Sequence, residues 1–209
     1  MGKRVKIALV VLAVALLGVI ARQLAQPPDE PEPVYQGKKL SEWMTAVPVY
    51  AGITGSGRNE LALRNAMAAV RQTGTNAIPT LLRMLRAKDS LWKVRLMALA
   101  QRQHLIKVQH TPAIGWNVAG YWGLAILGAN AQSAAPELIK IVDENISLDS
   151  QLAAIRALVL VGPSAKEAAP SLLRWSTNSN SSVSINAMEA LLKIDPEAAA
   201  KAGITDHVP

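Results

Sequence analysis

Apolar residues recur along this chain in short helical steps that stop and restart at fixed landmarks. Ala154, Ala157, Leu158 and Val161 stand eight, five, four and one residues before Gly162. Pro170 stands eight after it, followed by Leu172, Leu173 and Trp175. The same offsets from Gly128 collect Gly120, Gly123, Leu124 and Leu127, then Pro136, Leu138, Ile139 and Ile141. From Gly74 they collect Ala66, Ala69, Val70 and Thr73, then Pro79, three residues early, with Leu81, Leu82 and Met84. From Asp195 they collect Ala187, Ala190, Leu191 and Ile194, after which the pattern fades into PEAAAKAG. Steps of three and four place these residues on one face of a helix. Glycine suits the residue after a helix C-terminus, where the backbone turns left-handed. Proline suits the first turn of the next helix, where its missing N–H is not needed. Each landmark therefore predicts helix, link, helix, and the fold class is all-α. Small residues at the eighth and fifth positions before each landmark leave room for close helix approach.

The landmarks at 74, 128, 162 and 195 are separated by 54, 34 and 33 residues, so the first interval holds an insertion. Its sequence, RAKDSLWKVRLMALAQRQHLIKVQH, predicts one long helix over about 90–107. TPAIG then breaks the chain before the next unit. One helix pair cannot bury its own apolar stripe, whereas stacked pairs bury each other's.

This pattern, clearest in AIRALVLVGPSAKEAAPSLLRW, closely resembles HEAT repeats over residues 60–195. Upstream, VYQGKKLSEWM (34–44) resembles the entry segment of anchored bacterial HEAT-repeat proteins, with Lys39 where that segment commonly has proline. Ser41, Glu42 and Trp43 would open a short capping helix. The resemblance implies a right-handed α-solenoid of about four helix pairs across 38–209, used as a protein-binding scaffold. It implies no chemistry and no cofactor. Two HEAT-like groups, the phycobilin lyases and a class of DNA glycosylases, are enzymes, and they define the alternative reading.

The first 22 residues, MGKRVKIALVVLAVALLGVIAR, change the picture of where such a domain would work. A basic start precedes an uncharged run over 7–21. Fifteen residues at 1.5 Å reach about 22 Å, short of a ~30 Å hydrocarbon core and of signal-peptide length. An uncleaved signal anchor is the favoured reading, because Arg22 follows at once and the small-x-small cleavage pattern is weak. A cleaved signal peptide and a buried helix are the alternatives. The flanking bases place the rest of the chain outside the cytoplasm, on the periplasmic side, or secreted if the leader is cleaved. The acidic, proline-rich QPPDEPEP (26–33) reads as an extended spacer, and 23–37 as a linker.

Charge and candidate chemistry narrow the function. The net charge of +7 is concentrated in the leader and in 61–136, which holds nine bases against Asp89 alone. That stretch also holds Trp92, Trp116 and Trp122, a pattern compatible with nucleic acid. A leader that exports the domain disfavours that partner. With no cysteine there are no disulfides or thiolate ligands. His104 and His110 lack metal-ligand spacing. No G-x-S-x-G elbow occurs, and GITGSG (52–57) runs into Arg58 rather than a phosphate-binding lysine. Asp143 and Glu144 read as a solvated pair at a helix end.

One recurrence remains. Four residues after each proline stand Arg83, Lys140 and Arg174. On a helical wheel this position lies opposite the apolar stripe. The three form a candidate cation ladder for an acidic protein partner, beside the structural landmarks Gly74, Pro79, Gly128, Pro136, Gly162 and Pro170. The expected whole is a non-enzymatic, membrane-anchored interaction scaffold.

Overall fold

A computed structural model describes residues 31–47, 57–90, 95 and 111–205. The leader run 7–21, the loop 52–57 apart from Gly57, Trp92, His104 and His110 lie outside them. Of the insert expected as a helix over 90–107, only Ser90 and Arg95 are described, and Arg95 is helical and exposed.

The described chain is mostly helical. It opens with a two-stranded antiparallel hairpin, β1 (Val34–Tyr35) and β2 (Lys38–Lys39). Gln36 and Gly37 carry the positive φ angles, 48° and 75°, that a two-residue hairpin loop requires. α1 (Leu40–Thr45) follows directly. The Trp43 indole N–H donates to Tyr35 O at 2.8 Å, the two rings meet edge-on, and Lys38 Nζ lies over the indole. These contacts explain the VYQGKKLSEWM string. They also make 33–37, a linker by composition, part of the compact unit that begins at Pro33.

Three units come next. α2 (Gly57–Thr73) leads through a 3₁₀ turn to α3 (Ile78–Leu85). α4 (Ala113–Leu127) leads to α5 (Ala135–Glu144), and α6 (Leu148–Val161) to α7 (Ala169–Ser176). α8 (Ser181–Ile194) and α9 (Pro196–Lys201) close the described chain. Pro79, Pro136 and Pro170 sit in the first turns of α3, α5 and α7.

Gly74, Gly128 and Gly162 take φ of 61°, 54° and 68° at the ends of α2, α4 and α6. At Gly128 and Gly162 ψ is −125° and −145°. This is not the left-handed helical well but the mirror image of extended backbone, open essentially to glycine alone. Asp195 stands at −143° and 81°, so the fourth landmark is built differently. A Cβ on Gly162 would touch nothing, so the whole cost of adding one is backbone strain. Gly162→Ala and Gly162→Val are both expected to lose about 1–3 kcal/mol of unfolding free energy. Thermal unfolding unchanged by either would show that the glycine is not required.

From each glycine the chain runs through 3₁₀ turns, over seven residues at Gly128–Ala134 and at Gly162–Ala168, where it kinks at Ala165, but over four at Gly74–Ala77. The difference is one turn of 3.0 residues. That turn accounts for Pro79 arriving three residues early.

These links correct the expected pairing. The most extensive packing joins a second helix to the first helix of the next unit: α3 to α4, α5 to α6, α7 to α8. The chain between α5 and α6, and between α7 and α8, is only a few residues long, and a short link makes its helices antiparallel neighbours. The seven-residue links separate the helices they join. First helices α4, α6 and α8 also pack in series.

The seams between units are written in three positions of each first helix, at eleven, eight and five residues before the landmark. The last two are the expected small residues. Gly120 and Gly123 on α4, Ala154 and Ala157 on α6, and Ala187 and Ala190 on α8 occupy them, and the alanines are fully buried. The first position, eleven before the landmark, was not anticipated. It holds Asn117, Gln151 and Ser184, each donating to carbonyls at the end of the preceding second helix. Asn117 Nδ2 meets Met84 O (3.2 Å), Leu85 O (2.7 Å) and Ala87 O (3.1 Å). Gln151 Nε2 meets Val142 O at 2.9 Å, and Ser184 Oγ meets Ser176 O at 2.6 Å. The last carbonyls of a helix have no partner within it, and a buried one must find a donor elsewhere.

Candidate partner-binding edge and cleft

The second helices α3, α5 and α7 carry the candidate ladder, and their apolar phases are as the wheel requires. Leu81, Met84, Leu138, Ile141 and Leu172 are buried. Ile139, Leu173 and Trp175 are half-buried and pack on the core from its margin.

Lys140 and Arg174 are exposed, with 61% of each side chain accessible, but neither is a bare charge. Lys140 pairs with Glu137 one turn away on α5. Arg174 pairs across the seam with Asp143 of α5 and lies over the Trp175 ring. Arg83 departs from the wheel: it is half-buried, in the wall of a cleft.

Asp143 and Glu144 are exposed at the end of α5, as the sequence suggests, but each carboxylate is partnered. Asp143 accepts from the Ser171 hydroxyl, from Arg174 and from the Trp175 indole N–H (3.1 Å). Partial burial pushes its carboxyl upward, yet hydrogen bonds from Ser171, Trp175 and Arg174 outweigh this and hold it below the usual carboxylate value. Glu144 pairs with Arg86 Nε at 3.3 Å, and Arg86 Nη2 reaches Glu137 at 3.1 Å. Hydrogen bonds from Lys140 and Arg86 hold the Glu137 carboxyl low as well.

One register rule covers both crossings. The residue seven after a unit's proline meets the residue one after the next unit's proline. Arg86 so meets Glu137, and Asp143 meets Ser171. The charge at the seventh position then selects its further partners: Arg86 attracts Glu144, and Asp143 attracts Arg174. In the sequence the signal was present as a recurrence of polar residues at the first and seventh positions. Their signs alternate between units, so a search for one repeated residue type passes over them.

Asp143 supplies a pH test. A carboxyl held below its unfolded value, about 3.9, contributes stability that is complete above that value and is lost as pH falls through the folded one. Asp143→Asn is expected to lower stability at pH 7 by about 1 kcal/mol, a modest figure because the group is partly exposed. The gap to the unaltered protein should close below about pH 4. A gap that persists unchanged to pH 2 would mean the charge is irrelevant and only shape matters.

The cleft lies where α3 ends and α4 begins. Its wall comprises Arg83, Met84, Ala87, Lys88, Asp89, Thr111, Ala113 and Trp116, around about 300 Å³. Asp89, the lone acid of the basic stretch, accepts from the Ala113 N–H at 3.0 Å and so caps α4. Among the described residues no cluster of three or more His, Asp or Glu is arranged to hold a metal ion, and no helix is long and apolar enough to cross a membrane.

Comparison of the chain with protein-family models, with curated proteins and with solved structures finds no match.

Proposed function

We propose that this chain is a non-enzymatic, membrane-anchored interaction scaffold of the HEAT-repeat kind, its units stacked as a right-handed α-solenoid and its leader holding the domain outside the cytoplasm. The observation that carries this reading is the seam rule. The same position of α4, α6 and α8 donates to the end of the preceding second helix, and the two small positions after it are glycine or buried alanine in every unit, which supports units packing in one register. Such an array presents its second helices as a continuous polar edge, and protein recognition is what an edge of that kind supports. Arg83, Lys140 and Arg174 are the partner-binding residues of this reading.

The test is capture of a partner from the native membrane fraction by full-length protein. Because Lys140 and Arg174 are paired with acids, reversal to glutamate would bring like charges together; glutamine isolates the loss of charge. The triple variant Arg83→Gln/Lys140→Gln/Arg174→Gln should retain its fold and lose capture most at low salt. Undiminished capture would remove this edge from consideration. For the leader, carbonate extraction should leave the full chain in the membrane; a soluble form beginning at Arg22 would replace anchoring with cleavage.

A further inference from the structure

We infer that the cleft between α3 and α4 is the specificity pocket of this edge, and that it takes one acidic residue flanked by an aliphatic or aromatic one from an extended segment of a partner protein. The inference rests on the scaffold reading and goes beyond it, because it assigns the ligand's chemistry.

Three observations carry it. First, the cleft is two-sided in chemistry. Arg83 and Lys88 supply two cations, while Met84, Ala87, Ala113 and Trp116 supply an apolar floor. Lys88 makes no ion pair among the described residues. A guanidinium has five N–H donors in a fork that matches a carboxylate, so Arg83 can accept one alongside an existing contact. Second, the volume of about 300 Å³ is at the lower limit of small-molecule sites and is suited to one or two side chains. Third, the surroundings disfavour a polyanion. Asp89 stands at the rim, and beyond the cleft the edge alternates in sign: Arg86 is held by Glu137 and Glu144, and Arg174 by Asp143. A nucleic-acid track needs cations in succession to neutralise successive phosphates. Along this edge the cations alternate with the carboxylates Glu137, Glu144 and Asp143 instead. A peptide of mixed polarity meets no such obstacle, and its apolar side chain would cover the Trp116 face.

The experiment uses full-length protein in detergent micelles and fluorescein-labelled peptides read by anisotropy. The probes are three repeats of Glu-Leu, of Lys-Leu and of Gln-Leu, with an oligothymidylate of similar length. The Glu-Leu peptide should bind, the Lys-Leu peptide should not, and Gln-Leu should be weaker by about tenfold, the scale of a charge-assisted hydrogen bond. Arg83→Gln and Lys88→Gln should each weaken Glu-Leu binding, and the double variant by at least about tenfold. Lys201→Gln, exposed and outside both the cleft and the ladder, should leave it unchanged. Equal binding of Gln-Leu, or indifference to the double variant, would overturn the pocket. Preference for oligothymidylate would replace it with a nucleic-acid site. Partner capture lost in Lys140→Gln/Arg174→Gln but kept in Arg83→Gln/Lys88→Gln would sink the pocket and leave the scaffold reading standing.

Discussion

Asn117→Ala is expected to lower the unfolding free energy by about 3 kcal/mol, as large an effect as a single polar substitution is expected to have here. The side chain is buried within the seam, and its amide nitrogen serves carbonyls of Met84, Leu85 and Ala87. Ser150 Oγ also reaches Leu85 O at 2.7 Å and the Ala87 N–H reaches Met84 O at 3.1 Å, so alanine at 117 leaves those carbonyls one donor each and takes from Ala87 O the bond it accepts from Asn117. Three hydrogen bonds are lost at about 1 kcal/mol each, and the Ala87 carbonyl is left to find a new donor. The denaturant midpoint should fall with no change in its slope. Asn117→Asp sharpens the argument. A carboxylate would face three carbonyl oxygens in a buried site, which disfavours the charged form and raises its pKa. A group whose folded pKa is raised loses stability as pH rises through the unfolded value. Asn117→Asp should therefore be worse than Asn117→Ala at pH 7 and should recover toward it near pH 4. Equal behaviour of the two at both pH values would show that the amide does not cap α3.

Gly120→Val is the second large effect, again about 3 kcal/mol or more. A Cβ at Gly120 would lie 2.7 Å from Leu81 O and 3.1 Å from Leu85 N. Both atoms are backbone, so only movement of α3 against α4 makes room. At Gly123 the nearest atom, 2.2 Å away, is Leu81 Cδ2, part of a side chain that can rotate, though within the core. Glycine inside a helix costs about 1 kcal/mol relative to alanine, so an alanine that fitted would stabilise α4. The expected order is loss at Gly120→Ala, a smaller loss at Gly123→Ala, and about 1 kcal/mol of loss at Ala154→Gly on the neighbouring seam. Stabilisation by Gly120→Ala would show that the α3–α4 contact is looser than drawn here. The tight seam also shapes the cleft beside it, since Trp116 precedes Asn117 on the same helix and Met84 accepts from Asn117.

Much of this protein was legible from its residues alone. The helical class, the landmark glycines, the prolines in first turns and the small residues of the seam all follow from local rules. Backbone conformations open only to glycine, a missing N–H and an apolar stripe of period 3.6 act within a few residues of their own position. Those rules say which face of a helix is buried but not against which neighbour. Tertiary structure decided that. It joined α3 to α4 rather than to α2, although residues 86–112 intervene, because Gly120 and Gly123 let the two helices approach closely and Asn117 caps the end of α3. It gave the surface carboxylates Asp143 and Glu144 partners 31 and 58 positions away. It moved Arg83 from an open ladder to a cleft wall. The capping role of Asn117, Gln151 and Ser184 stayed hidden for the same reason: a polar residue in an apolar stripe reads as an interruption until the carbonyls it must satisfy are brought to it by another unit's helix.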